Sequence, residues 1–158
     1  MKRNELLALR LRELFHHGKW IANTNYKEQL QSISLSEATQ KVGNLNSITL
    51  LAFHINYYLK GLLNVMEGGA LNISDKYSFS MPELHTENDW KQLAEALLHH
   101  AETFAMRVEQ MPEETLDAAF VDAQYGTWQR NIEAVIEHGY YHLGQIALLR
   151  KLITQPAS

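Results

Sequence analysis

Four long stretches of this chain place apolar residues three and four positions apart, and no convincing run alternates apolar and polar residues as a half-buried strand does. That spacing puts the apolar side chains of each stretch on one helical face, which must find a partner face to leave water. The first predicted helix runs from about Lys2 to Trp20, with Leu7, Leu11 and Leu14 along one side. The second starts at a cap on Asn46 or Ser47 and reaches about Glu67, where Gly68 and Gly69 end it. The third spans about Asn88 to Met111. Its stripe is Trp90, Leu93, Ala94, Leu97, Ala101, Phe104, Ala105 and Val108, and Pro112 stops it. The fourth begins near Gly126 and Thr127 and extends to about Ile153, with Trp128, Ile132, Val135, Ile146 and Ile153 on its apolar side.

Between the first two stretches, residues 23–46 are mixed. A short helix is expected there, with Ser36 as the cap before EATQKV. Residues 70–87 contain Pro82 and several Ser and Asn residues and read as a loop. The expected fold is all-α, a four-helix bundle forming one domain over residues 1–158. The long connections leave room for a crossover, so periodicity alone leaves the topology open.

Composition removes several classes of function. The net charge is -4 with histidine neutral, and no block of Lys or Arg provides an electrostatic footprint for nucleic acid. The absence of cysteine excludes disulfides, thiolate ligands and a cysteine nucleophile, and fits a cytoplasmic location. MKRNELLALRLRELF carries charges among its leucines and reads as an amphipathic helix rather than a signal peptide. No apolar run approaches the length of a membrane span.

The chemistry lies in the histidines, of which there are eight. On a wheel of about 100° per residue, His54 falls among Leu51, Tyr58, Leu62 and Val65, opposite a face of Thr49, Asn56, Lys60 and Glu67 that is expected to be solvated. His138 and His142 are spaced i,i+4 in the fourth helix, so their rings stack on one face, aligned with Asn131, Gln145 and Leu149. Three neutral imidazoles from two helices can hold a divalent metal and leave a coordination position open. The alternative for each is a hydrogen-bonded core histidine. His16, His17, His85, His99 and His100 fall off the inward faces or outside the helices and are set aside as ligands.

Other motifs fail on particular residues. Gly139 stands where a zincin requires Glu after its first histidine, and a di-iron bundle needs two ExxH motifs where this chain has Glu13 to His16 alone. Gly139 and Gly144 each cost about 1 kcal/mol relative to Ala inside a helix, and they signal close helix approach, room for a ligand, or ordinary packing. Tyr57 and Tyr58 flank the His54 turn, and Trp20 is a further aromatic that either lines the pocket or packs in the core.

The HINYYL turn of the second helix is followed in the last by His138-Gly139-Tyr140-Tyr141-His142-Leu143-Gly144-Gln145-Ile146 and then Leu149-Arg150. This combination resembles the DinB-like superfamily, also called YfiT-like metalloenzymes, and NSITLLAFH matches that family's approach to the same turn. The likeness runs from about Leu6 to Ile153, and HxGQI is its most distinctive part. It implies a four-helix bundle in up-down-down-up order and a homodimer. It also implies a divalent metal on His54, His138 and His142, zinc or nickel first, manganese or iron next. Characterised relatives include transferases and isomerases that use low-molecular-weight thiols such as bacillithiol or mycothiol, and others are assigned as hydrolases. The expected function is therefore thiol-dependent S-transfer to a small electrophile. The alternatives are hydrolysis of a small-molecule substrate by activated water and a non-catalytic metal- or ligand-binding bundle. Hydrolysis needs a proton acceptor, and the neighbouring Glu137 points about 100° away from His138, so transfer is preferred.

Overall fold

Side-chain caps set most of the helix starts. In the computed structural model, which describes residues 1–155, Ser47 accepts from the Leu50 amide and opens α4 (Ile48–Met66). Thr86 and Asp89 cap each other's backbone at the start of α5 (Glu87–Gln110), and Thr127 accepts from the Arg130 amide to open α6 (Trp128–Thr154). The three residues beyond Gln155, part of the expected 1–158 domain, lie outside the described residues. Among the described residues the chain is mostly helical, with six α-helices and shorter π and 3-10 turns, and has no strand; a single antiparallel bridge joins Ala119 and Thr127. No described helix is long and apolar enough to cross a membrane.

The N-terminal half departs from the sequence expectation in three places. Helix α1 covers Arg3–Arg12 and is prolonged by one wide π turn over Glu13–His17. The Gly18 amide closes that turn on the Glu13 carbonyl at 2.9 Å, and the backbone then becomes extended. The helix thus stops short of Trp20, which stands 90% exposed and lines no pocket with the histidines. Residues 23–46 hold two short helices rather than one, α2 (Tyr26–Gln31) and α3 (Leu35–Thr39). Ser34 caps α3, not Ser36, because Glu37 sits three residues on and returns the bond to the Ser34 amide.

The core is built largely from the predicted stripes. Leu7 and Leu11 of α1, Leu14 of its π turn, Leu51 and Leu62 of α4, Leu97, Phe104 and Val108 of α5, and Ile132 and Ile146 of α6 are buried; on α4, Ile55 and Leu59, outside the predicted face, are buried as well, while Val65 is only partly so. Burial of each such side chain contributes about 1.5–3 kcal/mol. Helices α5 and α6 each pack against both α1 and α4. Charged bonds tie α1 to α5: Arg12 reaches Glu102 at 3.0 Å and Glu109 at 2.9 Å. Arg150 of α6 donates to the carbonyls of Glu28, Gln29 and Ser32, the exposed carbonyl end of α2. Tyr26 donates its buried hydroxyl to the Gly139 carbonyl at 2.8 Å, so α2 is pinned beside the turn that carries His138.

Thr49 is the exception on α4. The wheel places it on the solvated face, yet it is 1% exposed and its hydroxyl pairs with Ser47 Oγ at 2.9 Å. A wheel assumes one buried side, whereas α4 is contacted by α3, α5 and α6.

Candidate metal centre

His54 lies near the middle of α4, and His138 and His142 lie one turn apart on α6. Packing of these two helices brings the three rings together. His54 is 5% and His142 6% exposed, and His138 is half-buried. One ring nitrogen from each falls within a cluster whose members lie within 4.8 Å of one another. His54 Nε2 is 3.2 Å and His142 Nε2 is 2.9 Å from His138 Nε2.

The outer nitrogens decide what the inner ones present. His54 Nδ1 lies 3.3 Å from the Ser78 carbonyl, and His142 Nδ1 lies 2.6 Å from Gln145 Oε1. A carbonyl oxygen can only accept, so in both rings the proton sits on Nδ1 and the Nε2 lone pair faces the cluster. His138 Nε2 then faces two lone pairs and can satisfy at most one of them fully with its own proton. The donor set fits a divalent cation. Three neutral imidazoles supply the ligands, two of them oriented by outer hydrogen bonds. A zinc ion with Zn–N near 2.0–2.1 Å would space tetrahedral ligand nitrogens about 3.3 Å apart, close to the two separations observed.

Electrostatics favour the neutral rings. His138 is pushed down to about 4, first by burial and then by His142 and His54, with Asp75 acting in the opposite direction. Burial also lowers His54, helped by His142 and opposed by the Ser78 carbonyl and Asp75. His142 is lowered by burial against the Gln145 bond. Desolvation penalises the imidazolium in each case, which keeps the lone pairs available.

Aromatic rings wall the cluster. Phe79 stacks on His54 with centroids 4.1 Å apart, and Tyr58 stands edge-on to His54 and His138 at 5.0 and 5.3 Å. Of the two tyrosines beside the His54 turn, Tyr58 donates its hydroxyl to Asp75, and Tyr57 donates to the Ser74 carbonyl at 3.1 Å. Burial and Asp75 push the Tyr58 hydroxyl up to about 12. On the open side of His138 lies a groove of about 440 Å³, walled by Tyr58, Leu71, Ile73, Asp75 and Phe120 among others.

The three predicted histidines meet, and the five set aside do not join the cluster. His99 is exposed, and His100 bonds Asn56 Oδ1 at 2.7 Å instead. Glu137 turns outward to Arg130 at 3.0 Å. The helices contribute no carboxylate to the groove, but Asp75 of the loop after α4 reaches it. Asp75, Ser78 and Phe79 were missed for one reason. They come from a segment without helical period, which carries no local signal of where it will lie. Gln145 was detectable as the residue one turn beyond His142 on the same face. The glycines divide. A side chain on Gly139 would run into Leu14, so that position serves close helix approach, whereas Gly144 faces open space.

No family model, no curated protein and no solved structure matches this chain.

Proposed function

We propose that His54, His138 and His142 hold a divalent metal, zinc or nickel first and manganese or iron next, in a DinB-like enzyme that transfers a small-molecule thiol to an electrophile. One observation carries this: two outer hydrogen bonds, to Ser78 and Gln145, aim two Nε2 lone pairs at a third within 3.2 Å. When bound, a divalent ion supplies Lewis acidity toward a thiol or a water molecule. The chain's own contributions are separate. The histidines stay neutral, Phe79 and Tyr58 cover His54 on two sides, and the groove beside His138 has room for the electrophile. The thiol must come from solution, since the chain has no cysteine. A metal-dependent hydrolase is the second reading. The Asp75 carboxylate favours it, because it offers the proton acceptor that the helices lack.

The same proposal includes a four-helix bundle in up-down-down-up order. In support, α5 and α6 each bridge α1 and α4. It also includes a homodimer. In support, Tyr141, Leu148 and Leu152 form an exposed apolar stripe on α6, at 63%, 56% and 43% exposure. Leu148→Asp should then lower the mass read by light scattering while leaving the helical spectrum intact.

The deciding experiment is metal analysis of tag-free protein after dialysis against zinc or nickel, followed by turnover assays. Loaded protein should carry about one ion per chain and consume an electrophile only when thiol is present. Turnover of an ester without thiol would select hydrolysis. Loaded protein without turnover would leave a binding protein, and protein that takes up no ion would end the proposal.

A further inference from the structure

The groove beside His138 has a chemical character of its own. Its walls are apolar and aromatic, with Leu71, Ile73 and Phe120 prominent. No Lys or Arg lines it. Among its polar groups, those with settled roles are acceptors. Asp75 carries the only formal charge in the lining and makes no ion pair among the described residues. Its neighbour Lys76 instead places Nζ 5.3 Å over the ring of Tyr77. The Tyr58 hydroxyl donates its hydrogen bond to Asp75, which leaves its oxygen as an acceptor toward the groove. Asn131 donates from its side-chain amide to the carbonyls of Tyr125 and Thr127, each at 2.8 Å, which leaves its oxygen as the group it can offer.

From this charge complementarity we infer that the groove binds a small apolar amine. Its ammonium group is held by Asp75, and its hydrocarbon or aromatic body lies against Leu71, Ile73 and Phe120. A cation gains from the carboxylate and from the faces of nearby aromatic rings, whereas an anion meets the charge of Asp75 and no Lys or Arg. The inference rests on reading the groove as the substrate side of the histidine centre, and it gives the substrate of that reading an ammonium group and an apolar body, separate from the electrophilic atom that reacts. An anionic thiol would then have to approach from another direction.

The test uses three matched probes, 2-phenylethylamine, 2-phenylethanol and 3-phenylpropanoate. Each is titrated into the tag-free, metal-free full chain at low salt and pH 7.5, with binding followed by NMR shifts. Exposed to partly exposed ion pairs are worth up to about a five-fold change in affinity. The amine should therefore bind about five-fold more tightly than the alcohol, and the acid more weakly than either. Asp75→Asn should bring the amine down to the level of the alcohol and leave the alcohol unchanged. Leu71→Ser should weaken amine and alcohol alike. Asp75 is exposed, and an unchanged melting temperature checks that its variant is folded. Equal or tighter binding of the acid, an amine affinity indifferent to Asp75→Asn, or no binding by any probe would each overturn the inference. Because no metal is present, these results are independent of whether the histidines take up an ion. Amine binding without metal uptake sinks only the metal proposal, and metal uptake without amine binding sinks only this one.

Discussion

Gln145 is the residue through which the metal proposal can be tested most sharply, because it touches His142 and is not itself one of the three histidines. Its side-chain oxygen accepts the His142 Nδ1 proton at 2.6 Å. Gln145→Leu keeps the size of the side chain and removes the acceptor. His142 then loses the bond that fixes its tautomer, and the ring can carry its proton on Nε2, pointing into the cluster. Loss of an outer partner of this kind lowers metal affinity about 10- to 100-fold, equivalent to about 1.4–2.7 kcal/mol. The same bond between neutral groups in metal-free protein is worth only about 0.5–1.5 kcal/mol. Gln145→Leu should therefore weaken zinc binding more than it lowers stability in chelator. Gln145→Glu should strengthen zinc binding, since a carboxylate makes the ring a better donor. The assay is competition with a coloured chelator, paired with urea unfolding of the metal-free variants. Unchanged zinc affinity in Gln145→Leu, or losses equal in affinity and in metal-free stability, would refute the idea that this bond orients a ligand.

Three further outcomes are expected. His142→Ala should abolish stoichiometric metal uptake, while His99→Ala, which removes the same group from an exposed site, should leave it intact; metal analysis of both proteins decides. In chelator, stability should fall as pH drops from about 6.5 toward 4, because the unfolded chain binds protons that folded His138, His54 and His142 refuse. For the half-buried His138, discounted for solvent screening, the loss at pH 5.5 is about 1 kcal/mol or less, and urea unfolding at pH 7.5 and 5.5 should show a smaller difference in His138→Asn. Gly139→Ala should destabilise by up to about 2 kcal/mol, the overpacking against Leu14 exceeding the gain in helix propensity. Gly144→Ala, with open space around it, should stabilise by up to about 1 kcal/mol. Thermal melts in the opposite order would contradict this placement of the two glycines.

The long helices α4, α5 and α6, the start of α1, the Asn46–Ser47 and Gly126–Thr127 neighbourhoods in which two caps fall, and the inward set of His54, His138 and His142 were legible in the sequence alone. All of these are local. They depend on spacing of three or four residues and on side chains bonding the next turn, so a window of one helix contains the information. What needed tertiary structure lies where distant segments meet. Thr49 is buried because α4 has neighbours on more than one side. The loop after α4 folds back because Tyr57 and Tyr58 bond Ser74 and Asp75, seventeen residues ahead. That return places Ser78 and Phe79 on His54 and the Asp75 carboxylate in the groove. No periodic pattern encodes such a loop, since its path is set by hydrogen bonds and ring contacts that exist only once the helices have packed. The sequence therefore determined which residues form the centre. Tertiary packing decided which nitrogens face inward, which rings cover His54 and what charge stands beside the centre.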